Sequence, residues 1–237
     1  MKKTQVLETY DETYAREYND TFLLDEWARN SVAFQLKLLK PMVRRASNWL
    51  DVACGTGYFL SHFPSADRAG LDLSAEMLKV ARKRNSTARF FQGDFTEPHS
   101  EWNGKWDLVS CMWWAYCMLE AMSEIEGFVG NLARWTAPGG SCFLPLCNPQ
   151  KFDSENIKIP YVDPKVPGRI MITGIVWTWI QENGYRHDNV VSPQVEHVTG
   201  MFEQHFHTVT VRQGPLDVIG EGWRVQDVLI ASDKKDG

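Results

Sequence analysis

The stretch that decides the fold is Leu50-Asp51-Val52-Ala53-Cys54-Gly55-Thr56-Gly57. An apolar run gives way to two glycines and then to helical spacing, so a strand over 49–53 turns tightly into a helix over about 58–63. Glycine tolerates the left-handed backbone such a turn demands, and its missing side chain lets a ligand approach the main chain. Leu60 stands where a dinucleotide fingerprint carries its third glycine, and Asp51 precedes the turn. A pyrophosphate would be repelled by that carboxylate, whereas an ammonium group would be held by it, directly or through water.

Downstream, short apolar runs alternate with amphipathic segments, the pattern of a parallel sheet with crossover helices. The second strand is read at 68–73, followed by a helix capped by the Ser74 hydroxyl and running toward Asn85. A third strand follows at 88–92, a fourth at 106–112 and a helix at 123–136. Pro138-Gly139-Gly140 then turns the chain into a fifth strand at 141–146. Asp72 closes the second strand, where a carboxylate can accept from both hydroxyls of a ribose. Asp94, in Gln92-Gly93-Asp94-Phe95, is placed to accept from an adenine amino group, with Phe95 or Met77 as an apolar wall. Asp51, Asp72 and Asp94 thus fall at three successive strand ends, on one edge of one sheet.

With these motifs, and with Gly70-Leu71-Asp72-Leu73-Ser74-Ala75-Glu76-Met77 and Ala137-Pro138-Gly139-Gly140, the segment 48–146 resembles a class I S-adenosylmethionine-dependent methyltransferase of the small-molecule type. The resemblance implies an α/β fold, a doubly wound and mostly parallel seven-stranded Rossmann-like sheet, with S-adenosyl-L-methionine as cofactor. It implies that Gly55 and Gly57 approach the methionine part, Asp72 binds ribose, and Asp94, Phe95 and Met77 frame adenine. Ala53, Leu73 and Cys111 complete the expected cofactor set. Apolar and aromatic residues at helical spacing fill the first forty positions, read as two helices broken near 21–25, with Pro41 ending or kinking the region. This is similar to the family's amino-terminal lid. Tyr18 and Arg29 are accordingly assigned to the cofactor carboxylate, and Tyr14 to the acceptor side.

In that layout the residues after the fourth strand face the methyl acceptor. Here they are Cys111-Met112-Trp113-Trp114-Ala115-Tyr116-Cys117-Met118, without Asp, Glu, His or Lys. The run departs from the Asn/Asp-Pro-Pro-Tyr type motif of the family's nucleobase and protein-glutamine amide methyltransferases, so the resemblance disfavours a planar-amide acceptor, and an amine or an acidic oxygen suits a pocket poor in bases. Trp113, Trp114 and Tyr116, with Trp177 and Trp179 from a later segment, are expected to wall the acceptor site. Glu120, His187 and His197 are candidate bases outside the run, and no catalytic residue is assigned among them.

The chain is read as one domain: a helical lid at 1–47, a cofactor-binding core at 48–146, a proline-rich substrate-side insertion at 147–191, and a closing region at 192–232. That last region is expected to hold a helix at 192–206 and an antiparallel hairpin from strands at 208–213 and 226–232. With 237 residues and a net charge of -5, there is one core and no excess of Lys and Arg to neutralise phosphates, so nucleic acid is a poor partner. The longest nearly uncharged apolar stretch, 108–119, is well short of the roughly 20 residues of a membrane-spanning helix, and no secretory signal is visible. Five cysteines without zinc spacing read as buried thiols of a cytoplasmic protein, no metal is expected, and His205-Phe206-His207 reads as a strand start. Of the ten tryptophans, Trp49, Trp106, Trp135 and Trp223 are expected in packing and Trp102 in a surface loop, with Trp27 near the acceptor edge.

The expected activity is methyl transfer by in-line displacement to a nitrogen or oxygen of a small metabolite, an amino sugar among the candidates. A protein side-chain methyltransferase and a non-catalytic cofactor-binding regulator are the alternatives. Monomer and homodimer both remain open.

Overall fold

A computed structural model describes residues 3–149, 172–180, 186–215 and 226–236. The described elements, in chain order, are α1 (Lys3–Thr9), α2 (Glu12–Phe22), α3 (Glu26–Arg45), β1 (Trp49–Val52), α4 (Tyr58–Ser61), β2 (Arg68–Asp72), α5 (Ala75–Arg84) and β3 (Arg89–Gln92). After these come β4 (Trp106–Cys111), α6 (Met122–Trp135), β5 (Thr136–Leu146), β6 (Gly174–Ile180), β7 (Arg186–Pro193), α7 (Val195–Glu203), β8 (Phe206–Arg212) and β9 (Asp227–Lys234). Seven strands form one sheet in the order β3-β2-β1-β4-β5-β9-β8. The first five are parallel, while β9 runs antiparallel to both β5 and β8. Strand order reverses between β1 and β4, and at such a switch point the loops diverge and leave a crevice at the carboxyl edge.

Alternation along the strands builds the two halves of the core. Leu50, Val52, Val109, Cys111, Cys142 and Leu144 join Phe128, Leu132 and Phe202 of α6 and α7 on one face. Trp49, Leu108 and Phe143 join Leu39 and Val43 of α3 and Leu60 of α4 on the other. A carboxylate sits within this second layer. Asp51 and Ser110 are register partners on β1 and β4, the Trp49 indole donates to Ser110 Oγ at 2.8 Å, and Ser110 donates to Asp51 at 2.6 Å.

Several expectations are corrected. The amino-terminal region forms three helices, not two, and α3 carries Pro41 inside it and continues to Arg45. Packing of Leu39 and Val43 against the sheet compensates for the one backbone bond that proline forfeits. The helix expected at 192–206 begins only at Val195, because Arg186–Pro193 is a strand that pairs antiparallel with β6 in a separate two-stranded sheet. Trp102 is 7% exposed and stacks on His99 with ring centroids 4.3 Å apart, so it belongs to the core and not to a surface loop. All five cysteines are buried and free, and His205-Phe206 leads into β8. Trp223 and most of the insertion lie outside the described residues, as does the side chain of Trp27. No helix among the described residues is long and apolar enough to cross a membrane.

Gly57 shows how tightly the β1–α4 turn is built. Its φ is +65°, and a methyl group there would meet Asn85 Nδ2 at 2.6 Å and Ala81 Cβ at 3.2 Å. The same Asn85 amide donates to the Gly57 carbonyl at 3.0 Å, locking α5 onto the turn. Gly57→Ala is expected to lose about 2–4 kcal/mol in a denaturant titration, from left-handed strain plus overpacking. A loss below about 0.5 kcal/mol, the size of a neutral surface change, would contradict this packing.

Candidate functional site

A cavity of about 480 Å³ opens at the carboxyl edge of the parallel strands, within the size range of small-molecule sites. Its floor is the β1–α4 turn. Ala53, Gly55 and Gly57 all have positive φ, at 49°, 53° and 65°. The turn's backbone is held from beneath, with Cys54 N–H donating to Leu71 O at 3.0 Å and Gly57 N–H to Cys54 O at 2.9 Å. A methyl group on Gly55 would meet nothing within 4 Å, so that position is open toward the cavity it lines. Gly57, by contrast, is closed in behind the turn.

Asp72 organises the next loop. One carboxylate oxygen accepts from Gly55 N–H at 2.7 Å and the other from Ser74 N–H at 2.9 Å, so one side chain at the end of β2 fixes both the β1–α4 and β2–α5 loops. Burial pushes its pKa up to about 6, against the lowering effect of the Ser74 and Gly55 amides. At the end of β3, Asp94 accepts from the amide and hydroxyl of Thr96 at 2.8 and 2.7 Å. Asn131 of α6 holds the same loop, its side-chain amide donating to the carbonyls of Phe95 and Thr96, both at 3.0 Å. The Phe95 ring packs edge-on against Phe128. Met77, the residue whose N–H donates to Ser74 Oγ, lines the cavity from α5.

The amino-terminal helices roof these loops and are tied to each in turn. Thr56 donates to Asn19 of α2 at 2.6 Å, Ser74 Oγ donates to the Tyr10 carbonyl at 2.8 Å, and Lys3 of α1 pairs with Asp94 at 3.0 Å. Tyr10 and Tyr18 line the cavity. Burial raises the Tyr18 hydroxyl well above its ordinary pKa, with Tyr10 and Asp72 adding to the effect.

Of the residues expected to meet the cofactor, Tyr18, Ala53, Gly55, Asp72, Leu73, Met77, Asp94 and Phe95 line this one cavity. Four do not. Gly57 supports the turn from behind, and Cys111 is fully buried in the core. Arg29 is turned back, its Nε donating to Leu24 O at 3.0 Å. Asp51 is 1% exposed and satisfied by Ser110, so a direct hold on an ammonium group is replaced by a place in the core.

Of the acceptor-side residues, Trp113 lines the cavity and the others lie elsewhere. Tyr116 is 1% exposed, stacks on Phe128 and accepts at its hydroxyl from Cys147 N–H at 3.1 Å, which makes it core. Trp114 packs against that same core. Trp177 donates to Ser192 at 2.8 Å, and Trp179 sits between Phe22 of α2 and His187, stacked on the latter at 5.0 Å. Tyr14 faces a second groove with Arg186 and Asp188. Trp113 and Trp114 have φ of 60° and 61°, a left-handed pair without glycine, costing about 1–2 kcal/mol each and held by the packing around them.

The reading from sequence missed Lys3, Tyr10, Tyr58 and Glu124, which also line the cavity, while Met112, Ala115 and Met118 of the run expected to face the acceptor do line it. Tyr10 was signalled by its spacing with Tyr14 and Tyr18, whereas a lone amino-terminal lysine carries no signal. Of the candidate bases, Glu120 lines the cavity; His187 is buried under Trp179, and His197 lies 3.7 Å from Glu126. No cluster of three metal-ligating side chains occurs among the described residues.

Burial raises the Asp51 pKa to about 8 from its ordinary 3.8, with the Asp72 charge adding and the Ser110 bond opposing. The folded state therefore keeps a proton that the unfolded chain releases near pH 4, and stability falls as pH rises from there toward 8. Asp51→Asn is expected to flatten that fall in denaturation titrations between pH 4 and 8. Equal slopes in the two proteins would show that Asp51 ionises normally.

A family of methyltransferase domains matches residues 50–140. Among curated relatives, a dTDP-3-amino-3,4,6-trideoxy-alpha-D-glucopyranose N,N-dimethyltransferase of Streptomyces venezuelae is 38% identical over 105 residues, 44% of either chain. A malonyl-[acyl-carrier protein] O-methyltransferase of Pectobacterium atrosepticum is 35% identical over 96 residues, 38% of this chain and 35% of the relative. The alignments thus span less than half the length of these relatives. The crystal structure of Streptomyces venezuelae DesVI superposes with a TM-score of 0.59 at 21% identity, over 94% of this chain and 98% of that one, a likeness of fold. Residues 50–140 are thus similar to a methyltransferase domain, and the seven-stranded sheet built around them has the fold of that solved structure.

Proposed function

We propose that the chain transfers a methyl group to an amine nitrogen of a small-molecule acceptor, with an amino sugar as the leading candidate. When bound, S-adenosyl-L-methionine supplies a methyl carbon activated on a sulfonium. The open position over Gly55 and the adjacent Asp72 carboxylate suit a ligand carrying a ribose, because each Asp72 oxygen has acceptor capacity left beyond its one amide bond. Met77 and Phe95 offer apolar surfaces for adenine, and Tyr18 suits the amino-acid end.

The observation that carries the choice of nitrogen is the chemistry of the lining. The loop between β4 and α6 contributes Met112, Trp113, Ala115, Met118, Leu119 and Glu120 to the cavity, and the first turn of α6 adds Glu124. Their ionisable groups are carboxylates, with no histidine and no lysine. A carboxylate is far too weak a base to ionise a sugar or alkyl hydroxyl, whereas an amine sheds its proton to water and presents a lone pair without further help. This chain's contribution is then to position the nitrogen and to exclude water under the α1–α2 roof. The similarity to an amino-sugar N,N-dimethyltransferase supports the same reading, and the similarity to an O-methyltransferase defines the competing one. A net charge of -5 fits a small acceptor better than a nucleic acid.

Isotope-labelled methyl transfer should be measured with a matched pair of sugar nucleotides, one amino and one hydroxyl at the same carbon. Label is expected on the amine at about 100-fold or more over the alcohol; label on the alcohol alone, or on neither member of this pair nor any other small amine, would overturn the proposal. Asp72→Ala should weaken S-adenosylhomocysteine binding by about 100-fold in calorimetry, since it removes a charged acceptor and frees two loop amides. Unchanged affinity would remove Asp72 from the binding site.

A further inference from the structure

One carboxylate of the cavity is not used by the fold. Asp72 holds the amides of Gly55 and Ser74, and Asp94 holds Thr96 and pairs with Lys3. Glu124, in the first turn of α6, reaches back to accept from the Glu120 N–H at 2.7 Å. Lys3 is the cation among the described lining residues, and it is already shared between Asp94 at 3.0 Å and Glu97 at 3.4 Å. The Glu120 carboxylate makes no hydrogen bond or ion pair with any described residue, yet its backbone is clamped by Glu124, so its side chain leaves the loop at a fixed point. Beside it, Met118, Leu119 and Trp113 give the lining an apolar character.

Resting on the amine reading above, we propose that Glu120 is the substrate-binding residue that receives the acceptor's protonated amine, and that the acceptors are cationic amines with an apolar body. An ammonium entering this cavity leaves water on one side. A charge-assisted bond to an unpaired carboxylate offsets that loss, and the apolar neighbours take the ring that carries the amine. Asp72 and Asp94 are less available for this task, since each already holds its own loop in place. An acidic oxygen acceptor, by contrast, would meet a carboxylate and find no unpaired cation among the described lining residues.

The test needs no knowledge of the natural acceptor. Sinefungin carries an ammonium where S-adenosyl-L-methionine carries its methylsulfonium, while S-adenosylhomocysteine has no charge there. Both should be titrated calorimetrically into the wild-type protein and into Glu120→Gln. The substitution is expected to weaken sinefungin by roughly five- to tenfold and to leave S-adenosylhomocysteine unchanged. An unchanged ratio of the two affinities, or an equal loss of both, would overturn the role of Glu120. If neither compound bound the wild-type protein, the cofactor reading would fail first and this proposal with it. Glu120 is exposed, so the variant is expected to fold.

Discussion

The cavity depends on one carboxylate that joins two loops. Asp72 reaches from the end of β2 to the amides of Gly55 and Ser74, and in doing so fixes how far apart the first two strand-to-helix loops lie. The arrangement is costly in isolation, because burial raises this group's pKa to about 6. Two charge-assisted bonds offset part of that cost and leave the oxygens partly available. A loop pair held this way before a ligand arrives loses less conformational freedom when one binds.

The roof follows from the floor. Asn19, the Tyr10 carbonyl and Lys3 each engage a different strand-end loop, so α1 and α2 are registered against the parallel edge at three points. The aromatic series Tyr10, Tyr14, Tyr18 and Phe22 runs along the same helices and meets Trp179 of the smaller sheet through Phe22. Trp113, held in a left-handed conformation, lines the cavity from the loop after β4. Strain at that point is tolerable because Trp114 and Tyr116 next to it are packed into the core.

What the sequence made legible was local. The strand-to-helix alternation, the turn glycines, the Ser74 cap and the acids at strand ends are written within a few residues of each other, and the strands β1 to β4 appear where they were read, whereas β5 begins at Thr136 and takes in the Pro138-Gly139-Gly140 stretch read as a turn. The closing hairpin of β8 and β9 was legible for the same reason. What escaped depends on tertiary contacts. Asp51 looks like a ligand-holding acid until Ser110, its neighbour on β4, is seen to satisfy it. Tyr116 and Trp102 look like surface or pocket aromatics until Phe128 and His99 are found stacked on them. Arg29 bonds to the carbonyl of Leu24, and β7 was hidden because its polar first half lacks the apolar alternation of a strand. Among the described tryptophans Trp113 alone lines the cavity, so these do not together make an aromatic acceptor wall.

The chemistry assigned to this edge needs little from any one side chain: a roofed cavity, a sulfonium-compatible set of carboxylates, and an acceptor amine that supplies its own lone pair. That economy makes ligand placement the decisive observation. A crystal structure of the complex with S-adenosylhomocysteine tests it most directly. The ribose hydroxyls should lie on Asp72, the adenine between Met77 and Phe95, and the sulfur should point toward Trp113 and Glu120. Electron density for the ligand in the groove beside Tyr14 and Asp188, or a ribose away from Asp72, would contradict the account.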